Sequence, residues 1–254
     1  VLNACEADAE DMASVARSKG FTVTELLTRA ATRGRLTAEL ARAARELRSG
    51  DILLLSYSGH GGQVPDLNGD EPDGQDETWC LYDGQLIDDE LCAALAQFAK
   101  GVRVLVLSDS CHSGTVVKMA YYHGTMAARG SETPGEQARP RCMPPDVAER
   151  TYRGNRAFYD RILKDSRRRT RKTSVAASVL LISGCQDNQT SADGPANGLF
   201  TGTLLKVWNH GRFKGDYRSF HKQIVRRMPP VQTPNYFTTG TSNPAFEAQA
   251  PFTI

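Results

Sequence analysis

The chain has 254 residues, with 31 Lys plus Arg against 29 Asp plus Glu and a formal net charge of +2. So even a balance gives no global field for nucleic acid, and 40% hydrophobic with 24% charged residues is the composition of a globular domain, not of a disordered chain. The longest apolar runs, such as 52–55 and 104–107, fall far short of the ~18 residues of a spanning helix, so no membrane partner is expected.

Residues 1–6 show no basic and apolar leader pattern and no initiator Met, which suggests a trimmed chain without a signal peptide. Residues 7–19 carry Met12, Val15 and Ala16 at helical spacing. Asp8, Glu10 and Asp11 crowd the N-terminal end, where the helix dipole favours acids. Residues 21–27 read as a strand. A second helix is expected over 34–47, with Leu36, Leu40, Ala43 and Ala44 on one face. Residues 52–57 are a continuous apolar run bounded by turns, which predicts a strand buried on both faces. The stretch 61–76 is polar. A helix is expected from Asp88 through Phe98, then a buried strand over 102–107 ending in Asp109-Ser110-Cys111. Residues 129–146 read as a loop and 155–164 as a helix. A dense basic run at 165–174 precedes another buried strand at 179–182. Helices at 198–208 and 217–228 and an edge strand at 235–239 complete the pattern. Alternating strands and helices predict an α/β fold, with a mostly parallel central sheet and helices on both faces. Sites in such folds form at the C-terminal ends of strands.

His60 and Cys111 stand at two such ends. A thiol peptidase needs a thiolate and an imidazole that moves a proton, and neighbouring parallel strands would deliver both side by side. The glycines flanking His60 permit a sharp turn and a close backbone approach. The six cysteines, at 5, 80, 92, 111, 142 and 185, form no CxxC pair; reduced thiols and a cytosolic location are expected. Asp66, Asn68, Asp70 and Glu77 fall at EF-hand offsets, but Glu71 stands where that turn needs Gly, so the match reads as coincidence. The basic run with Arg167, Arg168, Arg169, Arg171 and Lys172 has three readings: a nucleic-acid site, a solvated linker or a self-cleavage segment. No aromatic residue interleaves it, so base stacking is poorly served and no nucleic-acid partner is expected.

Ser56-Tyr57-Ser58-Gly59-His60-Gly61-Gly62-Gln63 resembles the histidine motif of metacaspases and of their bacterial caspase-like relatives, the orthocaspases. Asp109-Ser110-Cys111-His112-Ser113-Gly114 is similar to their cysteine motif. Residues 70–77 and 86–91 resemble the acidic segments between these motifs, and 183–193 the small-subunit motif. The resemblance covers about 2–237 and implies a caspase-like fold. In it, 1–164 is large-subunit-like, 165–174 is a linker that is cut, and 175–254 is a small-subunit-like region completing the same domain. It also implies a further buried strand ahead of Val1.

The resemblance implies a cysteine endopeptidase that cuts protein substrates after Arg or Lys. Cys111 would be the nucleophile, His60 the general acid and base, and the N–H groups of Gly61 and Cys111 the oxyanion site. Ser58 and Asp109 match positions lining the pocket for the basic side chain, with Asp187 as a further acid. Arg29 stands where the family usually carries another pocket Asp. Asp76, Asp88 and Asp89 match positions that hold an activating calcium in some metacaspases, and Lys118 occupies the fourth. The same acids also read as a solvated loop and helix N-terminal charges. The chemistry itself is expected to need no cofactor. Maturation by self-cleavage or by an upstream activating protease is implied, as is a monomeric state. The alternative is a non-catalytic caspase-like scaffold or a calcium-responsive binding module.

Overall fold

A computed structural model describes residues 2–65, 67, 75–111, 139–170, 174–185, 191–194 and 196–254. The chain opens with α1 (Cys5–Ser18) and α2 (Arg33–Glu46), then β1 (Ile52–Ser58). β2 (Gly61–Pro65), β3 (Gln75–Leu81) and β4 (Gly84–Ile87) follow, then α3 (Asp88–Leu95) and β5 (Arg103–Asp109). Next come β6 (Arg139–Pro140), α4 (Pro145–Gly154), α5 (Arg156–Thr170), β7 (Ser178–Ser183) and β8 (Ala192–Asp193). α6 (Leu199–Trp208), α7 (Tyr217–Arg227), β9 (Asn235–Gly240) and α8 (Pro244–Ala248) complete it.

The main sheet has the order β1-β5-β7-β9, with β1, β5 and β7 parallel and β9 antiparallel at one edge. Side-chain alternation along β5 divides the core between two faces. Leu105 and Leu107 pack with Leu180 and Ile182 of β7 on Met12 and Val15 of α1, Phe200 and Leu204 of α6, and Phe220 and Ile224 of α7. Val104, Val106 and Val179 face the other way, against Leu95, Phe98, Ala43 and Ala44. Each large side chain buried this way contributes roughly 1.5–3 kcal/mol. Among the described residues no helix is long and apolar enough to cross a membrane.

The structure departs from the sequence pattern in five places. Residues 21–27 form no strand; a 3-10 turn at Thr28–Ala30 follows them. Alternating side chains make a strand only where a neighbour completes the ladder. β1 is half-buried along most of its length because it has only one partner among the described strands. The polar stretch after His60 contains β2, which joins β3 and β4 in a separate antiparallel sheet. Within the segment read as a loop at 129–146, residues 139–140 form β6 and Pro145 begins α4; 112–138 lie outside the described residues. α5 continues through Thr170, so residues 165–170 of the basic run are helical.

Candidate active site

β1 and β5 are paired in parallel with Ser58 opposite Asp109. His60 and Cys111, each two residues further on, therefore emerge at the same edge of the sheet. The turn that carries His60 is pinned through its carbonyl, which accepts from the Tyr57 hydroxyl at 2.8 Å and the Cys80 N–H at 2.9 Å. Tyr57 is itself held by stacking on Trp79, with ring centroids 4.4 Å apart. Gly61 sits hard against the nucleophile candidate: a Cβ there would lie 1.6 Å from the Cys111 carbonyl oxygen.

Beside this edge is an acidic pocket filled by the fully buried side chain of Arg141. Its Nη2 donates to Asp8 Oδ2 at 2.6 Å and to Asp193 Oδ1 at 3.0 Å. Its Nη1 donates to Ser58 Oγ at 2.6 Å and lies 3.1 Å from Asp109 Oδ2. Three buried carboxylates around one guanidinium would repel one another without further donors. Those donors are present. Asp8 Oδ1 accepts from the Gly198 N–H at 2.9 Å and from Asn197 Nδ2 at 3.1 Å. Asp109 accepts from the Thr201 N–H at 3.0 Å, the Thr201 hydroxyl at 2.7 Å and the Ser191 hydroxyl at 2.6 Å. Asp193 accepts from the Asn3 N–H at 2.7 Å. Gly198 and Thr201 belong to the N-terminal end of α6, whose dipole favours anions. Burial raises the Asp109 carboxyl above the ordinary carboxylate range, and Arg141 only partly draws it back. Burial works against the charge on Arg141, but Asp109 and Asp8 outweigh it and hold the guanidinium protonated.

The backbone that delivers Arg141 is extended. β6 runs antiparallel to β8, with Arg139 opposite Asp193, and the Arg141 N–H donates to the Ser191 carbonyl at 2.8 Å. The Arg141 carbonyl accepts from the Gly61 N–H at 2.8 Å and the Cys111 N–H at 3.4 Å. The Met143 N–H then donates to the Gly61 carbonyl at 2.8 Å. Cys111 is fully buried, and its Sγ accepts from the Ser191 N–H at 2.9 Å. Burial lifts its thiol far above the usual cysteine range, with the neighbouring Cys142 thiol adding to the shift. Burial also lowers the imidazole of His60, whose Nδ1 is buried and makes no hydrogen bond among the described residues. A thiol shifted up and an imidazole shifted down make a neutral resting pair.

Residues 1–251 match the Caspase domain family. The chain belongs to the caspase domain family. Its mostly parallel sheet with helices on both faces is the expected caspase-like fold. This caspase domain is 34% identical to Metacaspase-1 of Saccharomyces cerevisiae over 197 residues, covering 70% of this chain and 45% of that protein. It is 31% identical to Metacaspase-1 of Schizosaccharomyces pombe over 211 residues, covering 73% of this chain and 47% of that protein. The chain thus spans less than half the length of these curated relatives. It is also similar to the crystal structure of protein GSU0716 from Geobacter sulfurreducens, with 62% identity and a TM-score of 0.88, covering 99% of this chain and 90% of that one.

The sequence-derived site residues have different fates in the caspase domain. His60, Gly61, Cys111, Ser58 and Asp109 come together at one edge. Asp187, Lys118, Arg171 and Lys172 lie outside the described residues. Arg167, Arg168 and Arg169 lie on α5. Arg29 sits in an exposed 3-10 turn, and the acids gathered around the pocket come from elsewhere: Asp8 of α1 and Asp193 of β8. The sequence pattern alone reads Asp8 as a dipole-favoured helix acid. Its spacing from Met12 and Val15 placed it on the buried face of α1, and a carboxylate on such a face calls for a partner. Nothing in the sequence marked Arg141 as that partner. Asp76 ends up buried on β3, with Asp88 and Asp89 opening α3. Among the described residues no group of three or more His, Cys, Asp or Glu side chains is placed to hold a metal ion.

Proposed function

We propose that this caspase domain is a cysteine endopeptidase that cuts protein substrates after Arg and, more slowly, after Lys. The observation that carries the reading is the buried acidic pocket of Asp8, Asp109 and Asp193 beside Cys111 and His60. Such a pocket pairs with a cation and penalises an acidic side chain twice, by repulsion and by desolvation. Ser58 and the carboxylates meet both terminal nitrogens of a guanidinium, a fork that an ammonium cannot reproduce. Cys111 attacks the carbonyl carbon of the residue whose side chain fills the pocket. His60 takes the thiol proton and gives it to the departing amine, then activates water for deacylation. The N–H groups of Gly61 and Cys111 meet the carbonyl oxygen as its charge develops. Maturation by self-cleavage belongs to the same reading, since a peptidase of this specificity finds its own sites in an Arg-rich chain.

Short fluorogenic peptides ending in Arg, Lys or Asp test the proposal. Arg peptides are expected to turn over fastest, Lys peptides next, and Asp peptides at least ~10³-fold more slowly, the scale of an unpaired charge in a buried ionic site. Comparable turnover after Asp and Arg would overturn the pocket assignment. Gly61→Ala should lower kcat/KM for the Arg peptide by about 10²-fold or more, because its methyl group must push the Cys111 carbonyl away from β2 and spoil attack geometry. Circular dichroism should stay near that of the parent.

A further inference from the structure

We propose that the Arg141–Cys142 peptide bond is this chain's own first substrate, already seated in the cleft for cleavage in cis. The inference rests on the peptidase reading and adds to it the identity of the bond. Its support is the backbone, which is placed as a scissile peptide requires and not merely as a side chain plugging a hole. Residues 139–140 pair antiparallel with β8, and the ladder continues through the Arg141 N–H to Ser191. This is the addition of an extended peptide to a sheet edge. The Arg141 carbonyl then takes the two N–H groups of Gly61 and Cys111, and Met143 is held by the Gly61 carbonyl on the far side of the bond. Contacts on both sides of one peptide unit fix its register over Cys111. The Arg141 side chain meanwhile satisfies the whole pocket.

The step balances with water as the one co-reactant. Cys111 Sγ bonds to the Arg141 carbonyl carbon, the C–N bond to Cys142 breaks, and the thiol proton passes by way of His60 to the Cys142 amine. Water then hydrolyses the thioester, leaving an Arg141 carboxylate and a free Cys111 thiol. While the bond is intact, the guanidinium fills the pocket and the carbonyl fills the N–H pair, so an outside substrate enters only after the cut. The basic run at 167–172 offers more Arg and Lys, but Arg167, Arg168 and Arg169 are on a helix, and a cleft of this kind takes extended chain.

Intact-mass spectrometry and N-terminal sequencing of the purified 254-residue chain over time test this. The parent should yield a fragment beginning at Cys142, and Cys111→Ala should not. Arg141→Ala should cut at this position at least ~100-fold more slowly, whereas Arg141→Lys, which keeps the charge and folds with the pocket filled, should still cut. Replacing Arg167, Arg168, Arg169, Arg171 and Lys172 together by Ala should leave the Cys142 terminus unchanged. The fraction cut at a given time should not change over a roughly 100-fold dilution, as first-order kinetics require. Cleavage only within 165–174, a rate that falls with dilution, or undiminished cutting of Arg141→Ala would overturn the proposal. If the parent hydrolyses Arg peptides but never shows the Cys142 terminus, this inference fails and the peptidase reading stands. If Arg141→Ala, with its pocket vacated, hydrolyses no Arg peptide and the parent stays whole, the peptidase reading fails with it.

Discussion

Cys111→Ala is expected to lower hydrolysis of an Arg peptide by at least about 10⁴-fold, because removing a nucleophile leaves only binding and the oxyanion donors to act on the bond. The fold should survive. The substitution removes one sulfur atom and leaves the Ser191 N–H, now bonded to Sγ at 2.9 Å, without that acceptor. The cost is about 1–3 kcal/mol, within the margin of a domain of this size. The resting thiol is fully buried and shifted towards its neutral form, so the uncut chain should also react slowly with iodoacetamide. Rapid alkylation of uncut chain at Cys111 would contradict the neutral resting pair. Turnover in Cys111→Ala within tenfold of the parent would remove Cys111 as nucleophile.

Asp8→Asn should lower kcat/KM for the Arg peptide by about 10²-fold or more, with Asp peptides no better cleaved. The argument is one of hydrogen-bond supply. Asp8 Oδ2 faces the substrate-side Nη2 and the Ser58 hydroxyl, and Oδ1 faces the Gly198 N–H and Asn197 Nδ2. All the nitrogen neighbours are donors. Whichever way an Asn amide is turned, its NH₂ points at a donor, on the pocket side or on the α6 side. Asp109 gives the same pocket a pH dependence. Its carboxyl is raised by burial, so on acidification it takes up a proton before an exposed Asp does. The charge that holds a basic side chain is present above that raised value and lost below it, so KM for the Arg peptide should climb as pH falls through it. Asp109→Asn should flatten that limb. Unchanged Arg preference in Asp8→Asn would show that the pocket works through other groups.

Much of the fold was legible in the sequence. The buried strands β5 and β7 are near-continuous apolar runs, and α1, α2, α6 and α7 carry apolar stripes at helical spacing, because burial of one face is a local pattern. The second sheet was not legible. β2 begins Gly61-Gly62 and β3 carries Asp76 and Glu77, so neither shows the apolar alternation by which strands are found. Residues 21–27 failed the other way, with alternation but no ladder partner.

By itself the sequence determined that His60 and Cys111 end two apolar strands within recognisable motifs. Only the tertiary structure decided which acids form the pocket and what they hold. Asp8, Asp109, Asp193 and Arg141 come from α1, β5, β8 and the residue after β6, with Arg141 133 positions from Asp8 and 52 from Asp193. A buried charge is tolerated only when partners surround it on several sides, and those partners are supplied by packing, which leaves no local spacing to read.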